Sequence, residues 1–167
     1  MYIAMTYLYS ARWSDDIHVE WMRNVLKDIP DILPSKIERV RELMNIHVPE
    51  GLIQGYEYLI PTLTLPDPKD RHVLALAIHA GADTILTFNL KDFPPKILKS
   101  FGISAAHPDE FLLRCLELDH EVICRAAKQH RQSLKKPAFS VEEYLGLLKR
   151  QGLPQTVELL RDHAEFI

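Results

Sequence analysis

The sequence predicts an α/β fold that continues into a wholly helical segment. A helical stretch ends at Gly81 and is followed by a short β-rich run, Thr84 to Phe88. The same pattern recurs more weakly around Gly102, with a second short strand at residues 103–105. Helices alternating with short apolar strands are typical of a parallel sheet flanked by helices. Beyond residue 107 the sequence predicts helices and no further strand.

Two amphipathic helices are predicted before this strand pattern. Ser14 is a favourable N-cap residue with two acids in the turn after it, and the helix that it begins ends at Pro30. A second helix begins at Pro34. Residues 48–61 contain two glycines, which indicates a loop-rich connector with at most one short strand.

The later elements also have recognisable starts and stops. Pro66-Asp67-Pro68 precedes a helix over residues 69–80, and Pro94-Pro95 begins a short helix. Four C-terminal helices are predicted, over residues 110–118, 121–134 and 140–151 and from residue 154 onward, the third with a capping box at Ser140 and Glu143. We therefore expect two parts, a domain over residues 1–106 and a helical extension over residues 107–167.

Composition excludes several classes of protein. A chain of 167 residues with 47% hydrophobic and 26% charged residues is a globular protein with a real core. The formal charge of -3 disfavours binding of nucleic acid by bulk positive charge, although a local basic patch stays possible. Cys115 and Cys124 fit no metal or disulfide spacing, so we expect reduced thiols in a cytoplasmic protein. The sequence predicts neither a membrane span nor an export signal.

Asp70 is a candidate functional residue because of its position on a helix. Helical projection places Val73, Leu74 and Ala77 around it, so its carboxylate lies on the apolar side. One interpretation is a capping role shared with Asp67, since both acids are favoured by the helix dipole. The other is a metal-binding carboxylate, and the helix alone does not decide between them.

Three further residues are weaker candidates when each is taken alone. Asp92 and Asn89 follow the predicted strand, at the edge of the sheet where ligands of parallel sheets bind, although both are also ordinary turn residues. Glu20 lies on a polar helix face, and for Glu20 alone an exposed ion-pair face is the favoured interpretation. His72 and His79 share a helix stripe that we interpret as its solvent edge, and no zinc, nucleophile-elbow or phosphate-loop motif is present.

Several blocks of sequence resemble one known family. These are PDPKDRHVLA at 66–75, GAD at 81–83 and TFNLKDFP at 87–94, together with ARWSDDI at 11–17 and HPDEF at 107–111. In this order they resemble PIN-domain proteins, and among these the VapC-type toxins with a helical C-terminal extension. The resemblance covers roughly residues 7–161 and implies a PIN-like three-layer domain with a short parallel sheet.

The resemblance implies a Mg²⁺- or Mn²⁺-dependent endoribonuclease of a toxin-antitoxin system. Its catalytic, metal-binding acids would be Glu20, Asp70 and Asp92. Asn89 occupies the place of the family's usual fourth acid, so Asp92 looks like the substitute, and Asp67 is a secondary candidate. Basic side chains beside the acids would contact RNA phosphates, namely Lys69, Arg71, Lys91 and Lys96. The implied partners are RNA, a small antitoxin and a second copy of the chain.

One departure from the family concerns its first strand and the aspartate that ends it. The sequence begins after that strand, through a mis-called start, a truncation or a true loss, so we expect one acidic ligand and one central strand to be missing. We expect residues Tyr2 to Leu8 to supply a substitute strand or helix, or a second protomer to cover the gap. The alternative function is a catalytically inactive PIN-like protein that acts by binding an antitoxin or another protomer.

Overall fold

The computed structural model describes residues 2–6, 8–135 and 138–167, and in it the chain forms two compact units. The central unit consists of Ser10–Ile85 and Asn89–Ala105. The helical unit consists of Met1–Tyr9, Leu86–Phe88 and Ala106–Ile167. The predicted boundary between residues 106 and 107 stays a prediction.

Four α-helices lie among the described residues of the central unit. They are α1 (Asp15–Asp28), α2 (Pro34–His47), α3 (Arg71–His79) and α4 (Pro95–Leu98). Short turns of 3-10 helix connect them, at Glu57–Thr62, Pro68–Asp70, Leu90–Asp92 and Lys99–Phe101. The core is built around α3, whose residues Leu74–Ala77 are all buried, and around Ile85, Phe93 and Leu98.

A short parallel sheet of two strands, β1 (Thr84–Leu86) and β2 (Ser104–Ala106), confirms the predicted α/β class in its coarse form. The Ser104 amide donates to the Asp83 carbonyl at 2.9 Å. A separate parallel bridge joins Trp13 to Leu52, in the connector where at most one short strand was expected. Each strand is only three residues long, and β1 ends two residues before the predicted end of that strand.

The helical unit contains α5 (Pro108–Leu118), α6 (His120–Ser133), α7 (Val141–Arg150) and α8 (Pro154–Arg161). The capping box predicted at Ser140 and Glu143 is present. Cys115 and Cys124 are buried free thiols, as predicted. None of the helices among the described residues has the length and apolar character needed to cross a membrane.

A substitute strand or helix was expected in the N-terminal segment, and its described residues contain a helical turn and no strand. Residues Ile3–Met5 form a turn of 3-10 helix, and Ile3 and Leu8 pack against the core of the helical unit. Tyr7, which also belongs to the predicted segment, lies outside the described residues, as do Lys136 and Pro137.

A buried polar network fixes α1 against α2. Asn45 Oδ1 accepts hydrogen bonds from the Trp13 indole at 2.8 Å and from His18 Nε2 at 3.1 Å. The Trp21 indole donates to His18 Nδ1 at 2.9 Å, so the single proton of a neutral His18 must lie on Nε2. His18 is fully buried and Trp13 is 6% exposed. Because buried donors need acceptors, Asn45 anchors the start of α1.

Replacing Asn45 by Leu should therefore destabilise the protein. The Trp13 and His18 donors would lose their acceptor, and buried unsatisfied donors cost about 1–3 kcal/mol each. We expect urea denaturation to show a loss of about 2–4 kcal/mol in the free energy of unfolding. Asn24→Leu, at an exposed position of α1, is the control and should change this free energy far less. Equal midpoints for both variants would contradict the anchoring role.

In the helical unit a buried carboxylate caps the start of α8. Asp109, on α5, is 2% exposed, and its oxygens accept hydrogen bonds from the amides of Gln155 at 2.9 Å and Thr156 at 2.8 Å. The Thr156 hydroxyl donates a third, at 2.7 Å. Burial alone would raise the pKa of the Asp109 carboxyl, but these hydrogen bonds together outweigh it, so the pKa lies below its usual range.

Because of Asp109, the free energy of unfolding should decrease at low pH. A carboxyl whose folded pKa is lowered stabilises the fold fully above its unfolded pKa of about 3.9, and this stabilisation is lost as the pH falls through the folded pKa. At pH 7, Asp109→Asn should lower the free energy of unfolding by about 2–3 kcal/mol, because an amide group would then face a backbone donor. The two proteins should converge as the pH falls through the lowered folded pKa of Asp109. Asp162→Asn, at an exposed position, is the control for thermal melts across this range, and a gap that persists unchanged in acid would contradict this account.

Candidate functional site

The predicted acids come from three different elements of the central unit. Glu20 lies on α1, Asp70 ends the 3-10 turn that leads into α3, and Asp92 ends the 3-10 turn that follows β1. Asp67 Oδ1 accepts a hydrogen bond from the Lys69 amide at 2.8 Å, which caps the turn before α3. The capping interpretation thus holds for Asp67, whereas the Asp70 side chain makes no capping hydrogen bond.

Electrostatic effects on Asp70 link these acids. Partial burial raises the pKa of the Asp70 carboxyl above its usual range. Three other carboxylates raise this pKa further, those of Asp67, Asp92 and Glu20, while His72 has an opposing effect. Carboxylates from three separate stretches of the sequence therefore act on Asp70.

The chemistry of these donors fits a hard divalent cation, with one restriction. Carboxylate oxygens are the ligands that Mg²⁺ and Mn²⁺ prefer, and a cation would offset the repulsion around Asp70. Among residues 2–6, 8–135 and 138–167, however, no three His, Cys, Asp or Glu side chains are grouped so that they could hold a metal ion. The arrangement therefore fits a largely hydrated ion that has one or two protein carboxylates as ligands, as is common for Mg²⁺.

Asn89 has a direct role in the position of Asp92. Its amide nitrogen donates a hydrogen bond to Asp92 Oδ2 across the turn Leu90–Asp92. An amide at position 89 thus holds the carboxylate at position 92, which is consistent with the sequence-based interpretation of Asp92 as the substitute acid.

The structure corrects the interpretation of His72. Its side chain is only 15% exposed, and its Nε2 lies 3.5 Å from Glu20 Oε2. His79, on the same helix, is exposed as predicted. The sequence pattern could not predict the contact between His72 and Glu20. It shows which residues share a face of α3, but not that Glu20 on α1 lies beside that face.

The predicted phosphate-binding cations differ in exposure and in hydrogen bonding to the backbone. Lys69, Lys91 and Lys96 are exposed. Arg71 is half-buried, and its Nε donates to the Pro68 carbonyl at 2.9 Å, which leaves the rest of the guanidinium to bind an anion. Three of the four cations can therefore move toward a phosphate without breaking a backbone hydrogen bond that the structure shows.

A cavity of about 400 Å³ lies elsewhere in the central unit, beside α1 and α2. Its lining is mostly apolar and includes none of the predicted acids: His18, Val19, Met22, Arg23, Leu26, Glu38 and Arg41. The acidic cluster is therefore a surface feature and not the floor of this cavity.

Comparisons with known proteins agree with the resemblance found in the sequence. Residues 108–162 match the family model described as the VapC50 C-terminal domain. Over 101 residues the chain is 40% identical to "Putative ribonuclease VapC50" of Mycobacterium tuberculosis (strain ATCC 25618 / H37Rv). This match covers 60% of the chain and 59% of the relative. No solved structure matches the chain. The predicted resemblance to VapC-type toxins is confirmed.

Removing the negative charge of Asp70 should stabilise the metal-free protein. At neutral pH, Asp70→Asn removes a partly buried carboxylate that three others repel, so we expect the free energy of unfolding to rise by about 0.5–1 kcal/mol, the scale of interactions between exposed charges. Urea denaturation in the presence of a chelator measures this change. Asp31→Asn, at an exposed position, is the control, and a destabilised Asp70→Asn protein would contradict the repulsion.

Proposed function

We propose that this protein is a metal-dependent endoribonuclease of the VapC type. In this proposal residues 1–106 form a PIN-like domain and residues 107–167 form a helical extension. Glu20, Asp70 and Asp92 are the proposed catalytic, metal-binding carboxylates, of which one or two would be direct ligands of the ion. The observation that supports this most directly is the position of Asp70: partial burial raises the pKa of its carboxyl, and charges from α1 and from the turn after β1 raise it further.

Each carboxylate has a distinct role in this proposal. Asp70 is the central ligand, since the other acids act on it and its own side chain makes no capping bond. Asp92 is held by Asn89, and Glu20 approaches from α1. When bound, Mg²⁺ or Mn²⁺ would supply charge stabilisation at the scissile phosphate and a water of lowered pKa. The protein contributes the carboxylates that hold and orient the ion.

Basic side chains around the acids would hold the RNA. Lys69 and Arg71 lie on either side of Asp70 in sequence, and Lys91 precedes Asp92. Each can neutralise one phosphate, and such contacts position the backbone without reading its sequence. A net charge of -3 is compatible with this arrangement because the cations are local to the site. RNA binding by these contacts should weaken as salt increases.

The relative supports a proposal about the substrate and partners of this protein. Its printed name says ribonuclease, and VapC-type toxins act together with an antitoxin, so we propose RNA as the substrate and a small antitoxin protein as a partner. A homodimer is also proposed. The aligned stretch covers 59% of the relative. The activity and partners of the whole relative are therefore proposals for this chain.

A second candidate function has one observation in its favour. The described residues do not bring three metal-ligating side chains into one group. A PIN-like protein with an incomplete ligand set would still bind an antitoxin or a protomer, without hydrolysing RNA. The same experiment distinguishes the two functions.

The decisive experiment measures cleavage of a structured RNA by purified protein with Mn²⁺, with Mg²⁺ and with a chelator. We expect metal-dependent cleavage by the wild type and a loss of at least about 100-fold in Asp70→Asn, since a lost ligand removes stabilisation of the transition state. Glu20→Gln and Asp92→Asn should each lower the rate. Asp31→Asn should cleave as the wild type does.

Two outcomes would overturn the nuclease proposal. One is the absence of cleavage by a folded wild type with either metal, together with tight binding of a small antitoxin, which would favour the binding function. The other is cleavage that persists unchanged in Asp70→Asn, which would place the activity elsewhere or in a contaminant.

A further inference from the structure

We propose that His72 is a positioning residue that holds the Glu20 carboxylate within the acidic cluster. The inference rests on the proposed function in one respect, namely that Glu20 takes part in metal binding. The contact between the two side chains is independent of that function and can be tested separately.

The contact joins two elements of the central unit. Nε2 of His72, at the start of α3, lies 3.5 Å from Oε2 of Glu20 on α1. The Glu20 side chain is 41% exposed, so without a partner it would sample several rotamers. A donor fixed on the neighbouring helix restricts this freedom and keeps the carboxylate oriented before any ion binds.

Burial determines which ring nitrogen of a neutral His72 carries the proton. His72 Nδ1 is buried and has no hydrogen-bond partner within the part of the chain that the structure describes. A proton on Nδ1 would be an unsatisfied buried donor, which costs about 1–3 kcal/mol. In the neutral ring the proton therefore belongs on Nε2, the ring nitrogen that lies 3.5 Å from Glu20 Oε2.

His72 also acts on the second acid of the cluster. It lies two residues after Asp70 and opposes the rise in the pKa of that carboxyl, while its Nε2 lies 3.5 Å from Glu20 Oε2. A residue that orients a ligand without touching the ion is a common feature of metal sites, and its loss typically weakens metal affinity by 10–100-fold. His72 has this relation to Glu20.

The first test is spectroscopic and needs neither metal nor RNA. Nitrogen-15 NMR of the histidine side chains distinguishes a protonated Nε2 from a protonated Nδ1. In metal-free protein at a pH where the ring is neutral, we expect His72 to have its proton on Nε2, and Glu20→Gln to shift the His72 signals while leaving those of His79 unchanged. A proton on Nδ1, or signals that ignore Glu20→Gln, would overturn the contact.

The second test measures Mn²⁺ affinity directly, by electron paramagnetic resonance of free Mn²⁺. His72→Leu should weaken binding about tenfold or more, whereas His72→Gln should retain most of it, because its amide nitrogen reaches the position of Nε2. His79→Leu, on the exposed part of the same helix, is the matched control and should bind as the wild type does. If the two His72 variants have equal melting temperatures, the difference in their Mn²⁺ affinities is due to positioning of Glu20 and not to a loss of overall stability.

The outcomes of the two proposals can be told apart. If the wild type binds Mn²⁺ and cleaves RNA, but His72→Leu binds Mn²⁺ equally well, the positioning role is wrong and the nuclease stands. If the wild type binds no Mn²⁺, the metal-binding role proposed for Glu20 is wrong, and with it the contribution of His72 to metal affinity. The NMR result then decides whether the contact itself exists.

Discussion

Partial burial of the Asp70 carboxylate, close to the charges of other acids, is the constraint that links three elements of the central unit. An acid cluster that a protein keeps without a counter-ion destabilises the fold, since each charge raises the free energy of the others. Here the acids come from α1, from the turn before α3 and from the turn after β1, so the repulsion acts between elements. Those elements must be held in place by other interactions.

The scaffold supplies these interactions on the buried side of each element. Residues Leu74–Ala77, a whole turn of α3, are buried and so fix this helix and the turn before it that carries Asp70. The hydrogen bonds of Asn45 to Trp13 and His18 anchor the beginning of α1, whose later turn carries Glu20. Apolar burial and a satisfied polar network thus oppose the electrostatic repulsion at the surface.

The helical unit shows the opposite use of a carboxylate. Asp109 is almost fully buried, yet three donors from Gln155 and Thr156 satisfy it, so its charge stabilises the start of α8. The pKa of Asp109 is lowered, whereas that of Asp70 is raised. The same chemical group is structural where donors surround it and is a candidate for function where other acids do.

The sequence by itself determined the helices, their caps and the candidate acids. Ser14, the capping box at Ser140 and Gly81 are local signals, because they depend on residues within one turn of the chain. The family resemblance likewise depended on local blocks of sequence. Tertiary structure alone decided that His72 lies against Glu20, that Asn45 accepts from two buried donors, and that residues Ile3–Met5 form a turn and not a strand. These features depend on contacts between residues that are distant in sequence. Helical periodicity shows which face of a helix is apolar but not which element covers that face.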